Sequence, residues 1–139
     1  MSNRLLLTGH GALAQGMRDA ALLILGERDD VLATAPYTGD LDALTAEVDE
    51  VRRAADDGTV FIVTDLEGGS PHNAVLGISR DPRVRVLSGM NLPLVLALAM
   101  QLEELDGTTA LDELLTEARD GVGEHRLAAA ETPTDEEDF

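Results

Sequence analysis

Residues Thr59 to Thr64 contain four consecutive apolar side chains, Val60-Phe61-Ile62-Val63, with no polar residue to mark a solvent face. An extended segment that is apolar on both faces must be covered on both, the situation of a central strand in a parallel sheet with helices above and below. The rest of the chain agrees. Arg4 to Thr8, around Leu5-Leu6-Leu7, reads as a first strand. Leu13, Met17, Ala20 and Ile24 then recur at helical spacing, with Gly26 as a stop. Val31 to Ala35 is a weaker second strand. After the turn Tyr37-Thr38-Gly39, Asp40 is placed to cap a helix with the stripe Leu41, Leu44, Val48, Val51 and Ala55. A third helix starts at Ser70-Pro71, with Ser70 as N-cap and Pro71 at the first helical position. Val84 to Leu87 is a fourth strand, and Gly89-Met90-Asn91 leads into a nearly all-apolar helix from Leu92 to about Leu102. Such a helix has to be covered on both sides, by the sheet and the next helix or by a partner subunit, and it carries more apolar surface than one sheet face and one short helix should cover, so a symmetric dimer burying it is the expectation. Thr109-Ala110-Leu111-Asp112 reads as a capping-box-like start to a last helix carrying Leu111, Leu114, Leu115 and Ala118.

Strands alternating with helices imply right-handed crossovers and an α/β doubly wound sheet. The expected fold is flavodoxin-like, with four parallel strands in the order 2-1-3-4 and helices on both faces. A single domain is expected over residues 1–127, followed by an acidic, disordered tail over 128–139. The net charge of -17 argues against nucleic acid or an anionic membrane as partner. The chain has no cysteine, and its longest apolar run, Leu92 to Met100, falls well short of the roughly 20 residues a span needs. A cytoplasmic protein without direct membrane insertion is the expectation.

In the 2-1-3-4 order, ligands bind beyond the carboxyl ends of strands one and three. Those ends carry Thr8-Gly9-His10-Gly11 and Asp65-Leu66-Glu67-Gly68-Gly69-Ser70-Pro71. His10 between two glycines can be approached closely by a bulky group, and the following helix directs its free N–H groups at the same place, which suits a phosphate. Asp65 beside His10 would accept one ring N–H, leaving the other nitrogen as nucleophile. The Gly68-Gly69 backbone and the Ser70 hydroxyl would donate to phosphoryl oxygens. A metal site recruiting His10, Asp65 and His72 is a weaker reading, because the spacing is not that of a metal motif; no metal or cofactor is expected.

The motifs around His10 and Asp65, together with Asn73 and the stretch Gly89-Met90-Asn91-Leu92-Pro93, resemble the enzyme IIA domain of the mannose family of the bacterial sugar phosphotransferase system. The likeness runs over roughly residues 3 to 126. It implies a phosphoryl carrier that takes its phosphoryl group from the phosphocarrier protein HPr onto His10, oriented by Asp65, and passes it to a IIB component for sugar uptake, with membrane IIC and IID components beyond. Gly11, Gly68, Gly69 and Ser70 would bind the phosphoryl group, with Thr8, Gly9, Asn73 and Asn91 in support. The resemblance also implies a homodimer, with Gly121 to Leu127 as a fifth, antiparallel strand exchanged between subunits. Glu67 departs from the pattern, since relatives often carry an aromatic or apolar residue there.

Rival readings of the same scaffold are weighed on residues. A response-regulator receiver needs an acidic pair after strand one and a late lysine, and the chain has no lysine at all. Flavin binding wants flanking aromatics, and there is one tyrosine and no tryptophan. Two alternatives stay open: a phosphoryl donor for dihydroxyacetone kinase, and a non-catalytic regulatory module.

Overall fold

The structure is a computed structural model and describes residues 2–128. Its order is β1 (Arg4–Thr8), α1 (Leu13–Leu25), β2 (Val31–Ala33), α2 (Leu41–Ala55), β3 (Val60–Thr64), α3 (Ser70–Ile78), β4 (Val84–Leu87), α4 (Leu92–Gln101), a 3-10 turn (Leu102–Glu104) and α5 (Asp112–Asp120). The four strands are all parallel in the order β2-β1-β3-β4, as expected from the alternation.

Both central strands are buried on both faces, and their alternate side chains feed two separate cores. Leu5, Leu7, Phe61 and Val63 point to one side, where α1, α4 and α5 supply Ala21, Leu94, Val95, Leu98 and Leu114. Leu6, Val60 and Ile62 point to the other, against Leu44, Val48 and Val51 of α2 and Val75 of α3. The period-two geometry of a strand therefore accounts for the unbroken apolar runs.

Local chemistry sets most boundaries. Asp40 caps α2 by accepting from the Ala43 N–H, and Gly26 ends α1 at φ 85° while its N–H bonds the Leu22 carbonyl. Four expectations need correction. Strand β2 stops at Ala33 rather than Ala35, because the Ala35 N–H donates to the Glu47 carboxylate on α2 instead of to the sheet. The N-cap of α3 is Gly69, not Ser70, and no side chain caps it. Helix α5 starts with Leu111 at the N-cap and no capping box, since the Thr109 N–H and hydroxyl are drawn back to Asp106. Helix α4 is covered by the sheet, α1 and α5, with Met100 as its one strongly exposed large apolar residue, so it needs no partner subunit to hide it.

Asn3 was not singled out by the sequence pattern, yet it fastens the amino end of the sheet. Its buried amide donates to the Leu102 and Leu105 carbonyls and accepts from the Thr59 N–H. Among the described residues the sheet has four strands, and Gly121 to Leu127 is exposed and unpaired in the single chain. Residues 129–139, most of the expected acidic tail, lie outside the described residues.

Phe61 is the largest of the fully buried side chains and sits on the central strand. Phe61→Ala should cost about 3–5 kcal/mol of stability by chemical denaturation, because the rigid sheet cannot close over the void.

Candidate functional site

Strands β1 and β3 are neighbours in exact register at their carboxyl ends, with Thr8 opposite Thr64. From there the chain leaves in opposite directions, β1 toward β2 and β3 toward β4, so the loops part at the switch of strand order, the place where ligands bind in such sheets. The first residues past the strands are Gly9-His10 and Asp65. The switch point thus brings together side chains that are 55 residues apart in sequence.

Asp65 Oδ2 accepts twice from His10, from its backbone N–H at 2.8 Å and from ring Nδ1 at 2.7 Å. A carboxylate only accepts, so Nδ1 carries the proton and Nε2 is left with its lone pair. The Asp65 side chain is 9% exposed and that of His10 53%, so the carboxylate is buried while the ring faces outward. Burial acts to raise the Asp65 pKa, but the two hydrogen bonds from His10 outweigh it and hold the carboxyl below its ordinary range. Asp65 Oδ1 is buried without a hydrogen-bond partner, so the carboxylate is committed to His10 through one oxygen.

The glycines have separate reasons. A Cβ on Gly9 would lie 2.9 Å from Asp65 Cγ, and one on Gly69 would lie 2.9 Å from His10 Cε1. Either would push the ring and the carboxylate out of place. Gly11 at φ 53° and Gly68 at φ 81° take left-handed turns that other residues adopt at a cost. No side chain caps α3, and because Pro71 carries no N–H its first-turn donors are the N–H groups of Ser70 and His72, beside Gly69, itself packed against the His10 ring. That is a suitable end for an anion bound to His10.

Of the remaining expected residues, Asn73, Thr8 and Asn91 are held by contacts of their own. Asn73 Nδ2 donates to the Gly68 carbonyl at 3.1 Å and steadies the glycine turn. The Thr8 hydroxyl is buried and accepts from Thr34. Asn91 caps α4 through Leu94 and donates to the Ala118 carbonyl on α5, so its side chain is spent on joining helices. Ser70 is exposed at the first position of α3. His72 does not join His10 and Asp65 as a metal ligand: it is buried, with Nδ1 2.6 Å from the Thr64 hydroxyl. Among the described residues no group of three or more His, Asp or Glu side chains is placed to hold a metal. Thr64 had no role in the sequence reading, because a threonine closing an apolar strand carries no distinguishing signal.

A hollow of about 540 Å³, lined by Asp49, Arg52, Arg53, Asp56 and Arg83, lies at the opposite, amino ends of β3 and β4. Two of its arginines are already engaged: Arg52 by Asp49 and Asp81, and Arg83 by Asp81. It holds no nucleophile and is not the site.

Comparison with known proteins converges on one family. Residues 4–115 match the family of PTS system fructose IIA components. The PTS system sorbose-specific EIIA component of Klebsiella pneumoniae is 36% identical over 107 residues, 76% of each chain. The fructose-specific EIIA component of Bacillus subtilis is 26% identical over 113 residues, 79% of this chain and 75% of that one. Among solved structures, the PTS IIA protein associated with the fucose utilization operon of Streptococcus pneumoniae superimposes with a TM-score of 0.71 at 26% identity, covering 89% of this chain and 93% of that one. The mannose/sorbose specific IIA subunit of Enterococcus faecalis has a TM-score of 0.74 at 23% identity, over 94% of this chain and all of that one, and shows the fold.

The lowered Asp65 pKa sets a pH dependence. A depressed folded-state value contributes stability above the unfolded-state pKa, and that contribution is lost as pH falls through the folded value. The low-field proton resonance of His10 Nδ1–H should therefore persist on acidification below the usual carboxylate range, and in Gly9→Ala it should be lost already at neutral pH.

Proposed function

The chain belongs to the mannose-type enzyme IIA family of the sugar phosphotransferase system, and from that premise we propose that it carries a phosphoryl group on His10 Nε2, received from phospho-HPr and handed to a IIB component. The observation that supports this is the 2.7 Å contact of Asp65 with His10 Nδ1 on an exposed ring. In the forward step the Nε2 lone pair forms a bond to phosphorus while the bond from phosphorus to the donor's nitrogen breaks. The ring then carries positive charge, with Nδ1 still protonated, and the Asp65 carboxylate stabilises it. The same charge makes His10 a good leaving group when the phosphoryl group moves on. We assign the phosphoryl oxygens to the loop residues Gly11, Gly68, Gly69 and Ser70, through backbone N–H groups and the Ser70 hydroxyl; Gly69 packs against the ring and its own N–H donates to the Leu66 carbonyl.

An exposed nucleophile suits protein donors and acceptors better than an enclosed small substrate. Leu13 and Leu66 are 44% and 60% exposed, one close after His10 and one directly after Asp65, and Glu67 adds an exposed acid. A basic face on the partner fits a chain of net charge -17, and such attraction weakens with salt over a Debye length of about 8 Å. No helix among the described residues is long and apolar enough to cross a membrane, in keeping with work in the cytoplasm beside the IIC and IID components. We extend the reading to a homodimer in which Gly121 to Leu127, with Val122 and Leu127 well exposed, pairs with the partner's sheet.

Incubation with enzyme I, HPr and phosphoenolpyruvate should add one acid-labile phosphate per chain, and His10→Ala should abolish it. Labelling that survives His10→Ala, or that resists acid, contradicts the assignment. Asp65→Ala should fold normally and slow transfer roughly 10- to 100-fold, as expected when an orienting group is removed and the nucleophile is kept. An unchanged rate would leave Asp65 as a loop acid.

A further inference from the structure

Thr64 ends β3 fully buried, and its hydroxyl oxygen meets two groups: His72 Nδ1 at 2.6 Å, in the first turn of α3, and the Leu87 carbonyl at 3.2 Å, at the end of β4. A carbonyl only accepts, so the hydroxyl donates to Leu87 and accepts from the His72 Nδ1–H. That assignment satisfies all three groups at once. We propose that this chain of hydrogen bonds is the clasp of the loop between β3 and α3, and that His72 is a positioning residue for phosphoryl transfer at His10. The proposal rests on the function proposed above.

The place of the bond in the loop carries the argument. Residues 65–69 leave β3 directly after Thr64 and enter α3 directly before Ser70. The Thr64–His72 bond spans eight residues and ties the two ends of that loop together. Asp65, which holds His10, is at one end, and Gly69, whose backbone lies against the His10 ring, is at the other. Asn73, the residue after His72, holds the turn between them at Gly68. From the other side, the Met90 N–H donates to the Thr64 carbonyl and fixes the strand end itself. A shift of α3 by a few tenths of an ångström would therefore reach both sides of the imidazole, through Asp65 and through Gly69.

Packing alone does not account for the pair. An apolar couple of similar size would fill this space, whereas a buried hydroxyl and imidazole are costly unless every polar atom is satisfied. What they add is direction, since a hydrogen bond fixes distance and angle where an apolar contact leaves both loose. His72 is itself no phosphoryl acceptor, being 8% exposed with Nδ1 engaged.

The test uses the full chain and two readouts: the transfer rate from phospho-HPr, and the low-field His10 Nδ1–H proton resonance. His72→Phe keeps a ring of similar size and removes the bond. It should slow transfer roughly tenfold, near the low end for loss of an orienting group, with KM for phospho-HPr unchanged and the His10 resonance broadened by exchange. His72→Asn offers a side-chain N–H near the same position and should restore most of both. Should His72→Phe fail to fold, Thr64→Val cuts the same bond from the other side and should give the same two losses. Native transfer with a sharp, unshifted His10 resonance in the folded variant overturns the proposal. So does a fall in melting temperature that moves neither readout. If the native chain takes up no phosphate, the function proposed above has failed, and the His10 resonance in the variants still decides whether the clasp exists.

Discussion

The site depends on one contact, the Asp65 carboxylate against His10 Nδ1 at 2.7 Å. Without it the imidazole would present either nitrogen and turn freely in solvent. With it the proton is held on Nδ1 and the lone pair is on Nε2. Much of the surrounding backbone is arranged to permit this contact. Thr8 and Thr64 stand in register, so that the next residues of two strands emerge side by side. Gly9 leaves out the Cβ that would strike the carboxylate, and Gly69 leaves out the one that would strike the ring. The buried strands provide rigidity, and the two loops provide the chemistry.

Much of this could be read from residue order. Unbroken apolar runs specified strands covered on both faces, and the alternation with helical stripes specified a parallel, doubly wound sheet. The topology then made His10 and Asp65 neighbours before any distance was known, because both follow strands that flank the switch point. The features that could not be read are those decided by a single distant partner. Glu47 ends β2 early by taking the Ala35 N–H, and nothing near Ala35 announces it. Asp106 takes Thr109 away from the start of α5. Asn91 sits in a motif that resembles part of the site, yet its side chain joins α4 to α5. Helix α4 looked too apolar for one subunit because the contribution of α1 to its cover depends on tertiary packing. Thr64 and His72 illustrate the same limit, since neither residue type is distinctive and only their contact carries meaning.

Charge and exposure divide the labour of the molecule. The His10 ring is open to solvent, and the carboxylate that holds it is buried. The net charge of -17 is carried by 27 acidic against 10 basic residues, every one of them an arginine. Several of those arginines are committed to structure: Arg28 pairs with Asp30, and Arg52 and Arg83 with Asp81, whose carboxyl is held far below its ordinary range by the two guanidinium groups. None of the ten arginines lies in the two loops of the site, 8–11 and 65–70, to hold a free anionic substrate there. A phosphoryl group delivered by a basic protein partner, and stabilised once attached by backbone N–H groups, fits this distribution better than a diffusing anion does.

In the function proposed above, Asp65 selects which nitrogen of His10 carries the phosphoryl group. The most direct measurement is nitrogen-15 and phosphorus-31 NMR of the phosphorylated protein with labelled histidine. Phosphorus should be bonded to Nε2, with Nδ1 still protonated and its proton still in the low-field hydrogen bond to Asp65. Phosphorus on Nδ1 would contradict it, because that nitrogen cannot at once hold the proton given to Asp65 and form the bond to phosphorus.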